Sequence, residues 1–408
     1  MRHVPLKRMR REKRTPKSDT ARAAPPCVAR AVWLRYNAAI ESFRSSPRMS
    51  NITEAQVKAL LSRIVDPHTG HDLSGAVKGI GIDGDKVAVE LVLPYPAKTW
   101  SDTLAAQVRT ALQEGGIAQA TVSVTSRVHA YRVQKDLTPL PNVKNILAIA
   151  SGKGGVGKST TAVNIALALI AEGAKVGVLD ADIYGPSIPR MLGISGKPDS
   201  KDGQHLEPKL GHGIQAMSIG FMIEEDTPMI WRGPMVTQAL TQLLNETNWV
   251  DLDYLIIDLP PGTGDIQLTL CQRVPVSGAL IVTTPQDIAL LDAKKALKMF
   301  EKVEVPVLGI VENMALHTCT QCGHTEHIFG SGGGMAMAQQ YDVPLLGSLP
   351  LDIHIREQAD SGTPTVAAQP DGPVAALYRD IARKAAAQLS LQARSKSIQF
   401  PKIVIQNT

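Results

Sequence analysis

Aromatic residues are scarce in this sequence. They make up 4% of its 408 residues, whereas hydrophobic residues as a whole make up 44%. A core with so few rings must be built from Ala, Val, Ile and Leu, which suits buried parallel strands covered by helices. Charged residues at 20% complete a globular composition and exclude a mostly disordered chain. The length predicts roughly two to three domains.

Cysteine is also rare, and long apolar runs are missing. Four cysteines in a chain of this length exclude a scaffold stabilised by disulfides. No uninterrupted apolar run approaches the ~18 residues that a membrane helix requires. We expect a cytoplasmic protein without a membrane partner.

The excess of positive charge is confined to the beginning of the chain. Residues 1–48 contain 13 Lys or Arg and 3 Asp or Glu, whereas the remainder contains 30 basic and 35 acidic residues. A nucleic-acid-binding fold carries basic residues on its folded body, so we expect no nucleic-acid partner. We interpret 1–48 as a basic disordered extension, with a transit peptide or a misplaced start codon as alternatives. The native protein is then expected to start at Met49.

Residues 49–133 predict a small α+β domain. A helix is expected to start at Glu54 behind an N-cap at Thr53, and the pattern then gives a strand, a second helix and another strand. Nothing in this domain indicates catalysis, and we expect an accessory module whose His68 and His71, beside a turn, are solvated. Two prolines and weak periodicity predict a linker at 134–143.

After the linker the sequence pattern changes to short apolar strands that alternate with longer helical segments. This alternation predicts a doubly wound, mostly parallel sheet over 144–390, followed by a tail at 391–408. The expected strands are Asn145–Ala150, Lys175–Asp180, Tyr254–Asp258, Ala279–Thr283, Val307–Val311 and Leu345–Leu349. The fold class is therefore α/β, preceded by the small α+β domain.

A phosphate-binding loop lies between the first of these strands and a helix. Residues 152–159 match G-x-x-x-x-G-K-[ST], in which glycines let successive N–H groups point at phosphate oxygens. Lys158 is expected to hold the β- and γ-phosphates, and the Ser159 hydroxyl to bind Mg²⁺. The predicted nucleotide-binding residues here are Gly152, Lys153, Gly154, Gly155, Val156, Gly157, Lys158, Ser159 and Thr160.

The second lysine of this loop, Lys153, is similar to that of the deviant Walker A motif of the MinD, ParA and nitrogenase-iron-protein class. The resemblance implies an ATP-dependent homodimer in which this lysine reaches the partner's phosphates. A cation placed there stabilises the charge that develops on the transferred phosphoryl group. We therefore predict Lys153, Lys158 and Asp182 as the catalytic residues.

Acidic residues follow two strands, where ligands of parallel sheets bind. By the same resemblance, Asp182 orients or activates the attacking water and Asp180 supports the magnesium shell. Asp258 ends an apolar strand as in a Walker B motif and is expected to reach Mg²⁺ through water. Gly262 would offer an amide to the γ-phosphate, and Asn313 would read adenine. An asparagine that only satisfies its own turn is the alternative for Asn313.

Cys319 and Cys322 form a C-x-x-C pair, which brings two sulfurs to one metal or cluster edge. Two thiolates leave a four-sulfur shell incomplete, but a symmetric dimer completes it. A bridging iron–sulfur cluster and a structural zinc are both open, and a mononuclear zinc would recruit His317, His324 or His327. The remaining Cys271 is expected to be a small buried residue.

The ordered string of motifs resembles the Mrp/ApbC family of iron–sulfur cluster carrier ATPases. It comprises GKGGVGKS, DADIYGPS, WRGPM, DLPPGTGD, TTPQDIAL, ENM, C-x-x-C and IFGSGGG. The resemblance implies ATP, Mg²⁺ and a labile 4Fe–4S cluster shared by a homodimer, taken from an assembly scaffold and delivered to apo-proteins.

The small domain is similar to the PaaD-like module of bacterial members of that family. Many relatives have a cysteine near its second helix, where this chain has 95–98, Tyr-Pro-Ala-Lys. No cluster-binding role follows for the module here. The alternatives to a cluster carrier are a MinD/ParA-like positioning ATPase and a zinc-stabilised adaptor ATPase.

Overall fold

The computed structural model describes residues 52–131, 134, 137–223 and 233–397, with side chains to 392. The first elements form a three-stranded sheet covered by two helices. The strand order is β1-β2-β3, with β1 and β2 antiparallel and β2 and β3 parallel. These elements are α1 (Glu54–Leu61), β1 (Val77–Asp83), β2 (Lys86–Leu93), α2 (Ser101–Glu114) and β3 (Gln119–Ser126).

Local sequence explains most of this small sheet. The predicted N-cap at Thr53 and helix start at Glu54 are confirmed, and Gln56 completes a capping box with Thr53. Alternate residues of β2 are buried, which is the period of a strand with one covered face. The first strand, β1, was missed because its burial does not alternate regularly and two glycines interrupt its apolar pattern.

An eight-stranded sheet forms the larger part of the described chain. Its order is β13-β10-β9-β4-β8-β5-β7-β6, parallel except for the antiparallel pair β6–β7 at one edge. The strands are β4 (Val143–Ala150), β5 (Val176–Asp180), β6 (Lys209–Gly211), β7 (Ile214–Ser218), β8 (Leu252–Asp258), β9 (Gly278–Thr283), β10 (Val307–Glu312) and β13 (Leu345–Ser348). A separate hairpin pairs β11 (His317–Thr318) with β12 (Thr325–Glu326).

Six of the predicted strands are confirmed within two residues at each end. The predicted α/β class is confirmed as well. The edge strands β6 and β7 were not predicted. Both are short, and a turn with His212 at φ 51° and Gly213 at φ 83° joins them. Such a pair depends on its neighbour β5 for stability, and the sequence signal is correspondingly weak.

The helices cover both faces of the sheet. Almost every residue of α3 is buried, which agrees with its continuous apolar sequence. The bounds are α3 (Lys158–Ala171), α4 (Ile188–Met191), α5 (Gly233–Glu246), α6 (Asp265–Arg273), α7 (Asp287–Lys302), α8 (Gly333–Tyr341), α9 (Ile353–Asp360), α10 (Thr365–Ala368) and α11 (Pro373–Ser397). Two short 3₁₀ turns lie at Leu73–Ala76 and Ile219–Phe221.

The small domain is joined to the last helix by a buried polar network centred on His68. The prediction that His68 is solvated is wrong, because only 3% of it is exposed. Its Nδ1 lies 3.4 Å from Asp66 Oδ1, and its Nε2 lies 3.2 Å from Asp380 Oδ1 of α11. Arg383 Nε, also on α11, is 2.9 Å from the same Nε2. His71 is exposed, as expected.

Arg383 extends the network to the end of the helix that follows the phosphate loop. Its Nη1 donates to Glu172 Oε1 at 2.6 Å and to Thr99 Oγ1 at 3.1 Å. Glu172 caps the C-terminus of α3 and is 1% exposed. A buried carboxylate needs such a partner, because its desolvation is otherwise uncompensated. The module is thus docked through charges rather than merely tethered.

The protonation of His68 makes this docking dependent on pH. Burial lowers the pKa of His68, but hydrogen bonds to Asp380 and Asp66 outweigh it and leave the pKa above its ordinary value. A raised pKa in the folded state gives stability that is complete below about pH 6.5 and is lost as the pH rises through the higher value. Nε2 then gives up its proton toward Asp380 and accepts only from Arg383.

We expect the urea midpoint of the wild type to fall relative to that of His68→Gln between pH 6 and pH 9. The other titratable groups facing the imidazole, Asp66, Tyr95, Asp380 and Arg383, are present in both proteins. The variant therefore removes the histidine contribution alone. A difference between the two proteins that is constant or grows with pH contradicts this assignment.

Several predictions lie outside the described residues: the extension 1–48, the start at Met49, part of the linker and the end of the tail. In the described part of the chain, no helix is long and apolar enough to cross a membrane.

Candidate nucleotide site and cysteine hairpin

The phosphate loop runs from β4 into α3 in the conformation that its glycines permit. Gly155 and Gly157 have φ of 80° and 83°, in the left-handed region that favours glycine. Gly152 has no space for a side chain, since a Cβ there would lie 2.1 Å from the backbone carbon of Asp292 in α7. The loop is therefore held against α7 with its amides free to form a phosphate cradle.

The two lysines of the loop differ in surroundings. Lys158 is buried, and its Nζ lies 2.6 Å from Asp258 Oδ1 and 3.8 Å from Asp182 Oδ2. Lys153 is partly exposed and makes no ion pair with any residue that the structure describes. Lys158 is thus held by the two carboxylates, whereas the role predicted for Lys153 stays a prediction.

The carboxylates that were predicted at the strand ends do meet. Strands β5 and β8 pair in parallel with Asp180 opposite Asp258, so both acids emerge at the same edge of the sheet. Asp258 Oδ2 is buried without a hydrogen-bond partner among the described residues. A buried carboxylate oxygen with no partner is costly, and a magnesium-bound water would satisfy it.

Asp180 has a different environment from Asp182. Its oxygens accept hydrogen bonds from the amides of Asp182, Ser187 and Ile188 and from Ser218 Oγ, at 3.0–3.2 Å. Burial, with a further contribution from the charge of Asp258, raises its pKa to about 7. Asp180 therefore organises the loop that follows β5, and its predicted magnesium role stays a prediction.

Burial likewise raises the pKa of Asp182, although the charge of Lys158 opposes the shift. Its carboxylate lies beside the phosphate loop, with Asp182 Oδ2 3.8 Å from Lys158 Nζ. Ser159 Oγ accepts from Lys158 Nζ at 3.2 Å, on the same side. This grouping agrees with the predicted roles of Asp182 and Ser159 without testing them.

Two predicted nucleotide contacts are occupied by the protein itself. The Gly262 amide donates to Ser151 O at 3.0 Å, and Gly262 has φ 101°. Asn313 Nδ2 donates to Val156 O in the phosphate loop at 2.9 Å. The amide of Gly262 would have to change partner to bind a γ-phosphate. Asn313 secures the loop rather than its own turn, and adenine reading by it stays a prediction.

Cys319 and Cys322 lie on the turn of the hairpin β11–β12. Cys319 N donates to His324 O at 2.8 Å, and Gly323 N donates back to Cys319 O at 2.9 Å. Hydrogen bonds from the backbone amides of Cys322 and Gln321, and then from the Cys322 side chain, lower the pKa of the Cys319 thiol. The turn favours the thiolate, the form that binds metals.

Two of the three histidines near this turn are hydrogen-bonded through Nδ1 to backbone carbonyls. His317 Nδ1 lies 3.0 Å from Leu351 O, and His327 Nδ1 lies 2.7 Å from Ala315 O. Over the described residues, no group of three or more His, Cys, Asp or Glu side chains is arranged to hold a metal ion. One chain therefore presents two thiols with a partly exposed, incomplete ligand set. Cys271 is buried, as predicted, and burial raises the pKa of its thiol to about 12.

Three supporting residues were missed by the sequence analysis. Ser218 holds Asp180 from β7, and the buried Gln267 donates to Pro260 O beside the Walker B strand. Glu312 accepts from Gly334 N at 2.7 Å and from Ser348 Oγ at 3.1 Å, which fixes the start of α8. No local signal marks Ser218 or Gln267, whereas Glu312 stands next to Asn313 in a motif that was already noted.

A family model described as NUBPL iron-transfer P-loop NTPase matches residues 142–386. The chain belongs to this family of iron-transfer P-loop NTPases. A second model, described as iron-sulfur cluster assembly protein, matches residues 54–124. The predicted family and the presence of a second family module are thereby confirmed.

Named relatives extend the match over most of the chain. The iron-sulfur cluster carrier protein of Salmonella typhimurium is 50% identical over 353 residues, which cover 86% of this chain and 96% of that protein. The iron-sulfur cluster transfer protein NUBPL of Mus musculus is 50% identical over 253 residues, 62% of this chain and 79% of that one. A solved nucleotide-binding protein of Archaeoglobus fulgidus, in complex with ADP, is 40% identical, covers 54% of this chain and 87% of its own, and has a TM-score of 0.49.

Proposed function

We propose that this protein carries an iron–sulfur cluster between two copies of the chain and delivers it to apo-proteins under the control of ATP. The observation that carries the proposal is the cysteine turn, whose two thiols form half of a four-thiolate shell. The names of the relatives support the cargo, and the family supports nucleotide binding. A cluster-assembly scaffold would supply the cargo, and apo iron–sulfur proteins would receive it.

The residues present fit ATP and Mg²⁺. The loop amides and the N-terminus of α3 would hold the phosphates, with Lys158 on the β- and γ-phosphates. Ser159, Asp258 and, at greater distance, Asp180 would hold the ion, and the unpartnered Asp258 Oδ2 is where its shell would attach. Bound Mg²⁺ would neutralise charge on the phosphates. Asp182 would then orient the water for hydrolysis.

Exposed apolar residues support a homodimer that closes over this edge of the sheet. Ile288 and Leu291 on α7 and Met335 on α8 are 69%, 57% and 47% exposed. Gly152 packs on α7, and a Cβ at Gly333 would meet Leu290 of α7 at 2.6 Å, so α7 borders the phosphate loop and the start of α8 packs on α7. An exposed apolar patch beside the phosphate loop suits an isologous partner.

The three cysteines in the described residues are free thiols. We propose that the protein works in a reducing compartment, the cytoplasm, where such thiols persist. The same thiols would also accept zinc. Zinc bridging two chains as an adaptor is therefore the second candidate, and metal and sulfide analysis separates it from the first.

Anaerobic reconstitution with iron and sulfide tests the proposal directly. The wild type is expected to take up about two iron and two sulfide per chain, because one four-iron cluster is shared by two chains. A Cys319→Ser/Cys322→Ser variant is expected to take up almost none and to lack the cluster absorption band. Cys271→Ala, which removes a buried thiol elsewhere, is the control and is expected to load like the wild type.

Equal iron and sulfide in the double variant would reject the cysteine turn as the cargo site. Zinc without sulfide in protein purified anaerobically would favour the adaptor.

A further inference from the structure

A short segment connects the phosphate loop to the cysteine turn. The segment 312–317 leaves β10 beside the loop and enters β11, two residues before Cys319. Side-chain hydrogen bonds join one end of the segment to the phosphate loop and the other end to the hairpin and its neighbours. It is the direct covalent route from the nucleotide site to the thiols, so the contacts along it decide whether the two sites communicate.

The end of the segment that follows β10 is held by the phosphate loop. Asn313 Nδ2 donates to Val156 O at 2.9 Å, and a Cβ at Gly157 would lie 2.2 Å from that nitrogen and 3.9 Å from Met314 Cε. Asn313 N donates to Thr283 O at 2.7 Å, which fixes the backbone. Two consecutive side chains of the segment, Asn313 and Met314, thus lie against the loop that would bind phosphate.

The middle of the segment is strained. Met314 has φ 57°, in the left-handed region that side chains other than glycine rarely adopt. Such a conformation persists only where its surroundings enforce it. Here the enforcing contacts are those of the phosphate loop on one side and those of the hairpin on the other.

The end of the segment that precedes β11 is held by the hairpin and by Leu349 and Leu351. His327 Nδ1 donates to Ala315 O at 2.7 Å, which ties the strand after the cysteine turn to the segment before it. Ala315 N donates to Leu349 O at 2.9 Å, and His317 Nδ1 donates to Leu351 O at 3.0 Å. A displacement of Asn313 therefore reaches the base of the hairpin through two hydrogen bonds and one strained residue.

We infer that Asn313 and His327 are positioning residues that couple the nucleotide loop to the cysteine turn. Phosphate bound in the loop fixes Val156, Asn313 and Met314, and His327 passes that order to the hairpin that carries both thiols. The inference rests on the proposed function and adds to it how one site senses the other. It requires that nucleotide change the hairpin even when no cluster is bound.

Hydrogen exchange of metal-free protein, with and without saturating ADP and Mg²⁺, tests the coupling. In the wild type, ADP is expected to slow exchange of amides at 315–327 about fivefold, the low end of allosteric couplings. His327→Ala is expected to bind ADP as the wild type does and to lose this protection. Asn313→Ala, measured at verified saturation, is expected to lose it too. His324→Ala, an exposed histidine of the same turn, is expected to keep it.

Protection in His327→Ala equal to that in the wild type would overturn the inference, as would a wild-type hairpin that does not respond to bound ADP. Exchange at β1, in the small domain, serves as the internal reference and is expected to be unchanged. Because the experiment uses metal-free protein, either of these two results would reject the coupling without bearing on whether the cysteines bind a cluster. Failure of ADP to bind at all would instead reject the proposed function together with the coupling.

Discussion

Replacing Arg383 with leucine is expected to destabilise the protein by about 3–5 kcal/mol, because it leaves the buried Glu172 without its charged partner. Glu172 has a fully buried side chain and would keep its charge with only Thr99 beside it. His68 would lose the donor at Nε2, and the Trp100 ring would lose the guanidinium that lies 5.7 Å from its centre. The contact between the small domain and the C-terminal helix would weaken as a whole.

The urea midpoint, followed by circular dichroism, measures this loss. Arg356→Leu is the matched control, since that arginine lies on a helix with a side chain 62% exposed and pairs with Asp360. Its removal is expected to cost less than about 1 kcal/mol. Adding Glu172→Leu to Arg383→Leu is expected to restore part of the loss, because no unpaired charge then remains. Equal effects of Arg383→Leu and Arg356→Leu would refute the buried network.

Replacing Lys153 with alanine is expected to lower the rate of ATP hydrolysis about 10³-fold, as removal of a cation from the transferred phosphoryl group does in related chemistry. Nucleotide affinity is expected to change little, because Lys158 and the loop amides hold the phosphates in the same chain. Lys153 is partly exposed and has no ion pair with a described residue, so its removal costs no internal contact. Phosphate release at saturating ATP, with binding of a fluorescent nucleotide, separates the two effects. Lys144→Ala, a lysine paired with Asp253, is the control and is expected to hydrolyse normally.

Mixing two inactive variants tests whether Lys153 acts across a dimer. Asp182→Asn is expected to be inactive because its own site cannot orient water, but it still offers Lys153 to a partner. An equal mixture with Lys153→Ala is expected to recover roughly a quarter of the wild-type rate, since half of the dimers are mixed and each mixed dimer has one intact site. A mixture as inactive as its components would show that Lys153 works only in its own chain.

The sequence alone was sufficient for those parts of the molecule that depend on neighbours along the chain. The phosphate loop, the cysteine pair and the N-cap at Thr53 are short contiguous motifs, and the loop before α3 and the cap of α1 have the predicted structure. The six predicted strands are short and mostly apolar, and parallel pairing then places Asp180 and Asp258 side by side. In a parallel sheet every strand ends at the same edge, which is why the acids could be assigned before any coordinates.

Only the tertiary structure decided the burial and the contacts of polar residues that no local sequence motif marks. His68 was expected in solvent because its turn is polar, yet residues 315 positions away in the sequence bury it. The adenine contact predicted for Asn313 stays a prediction, and the fold adds a hydrogen bond from its Nδ2 to the phosphate loop 157 residues earlier. The hydrogen bond of Ser218 to Asp180 likewise depends on β7, a short strand next to the edge of the sheet with little sequence signal. Local patterns set strands, caps and loops because their energies are local, whereas burial and charge pairing arise only when distant segments exclude water together.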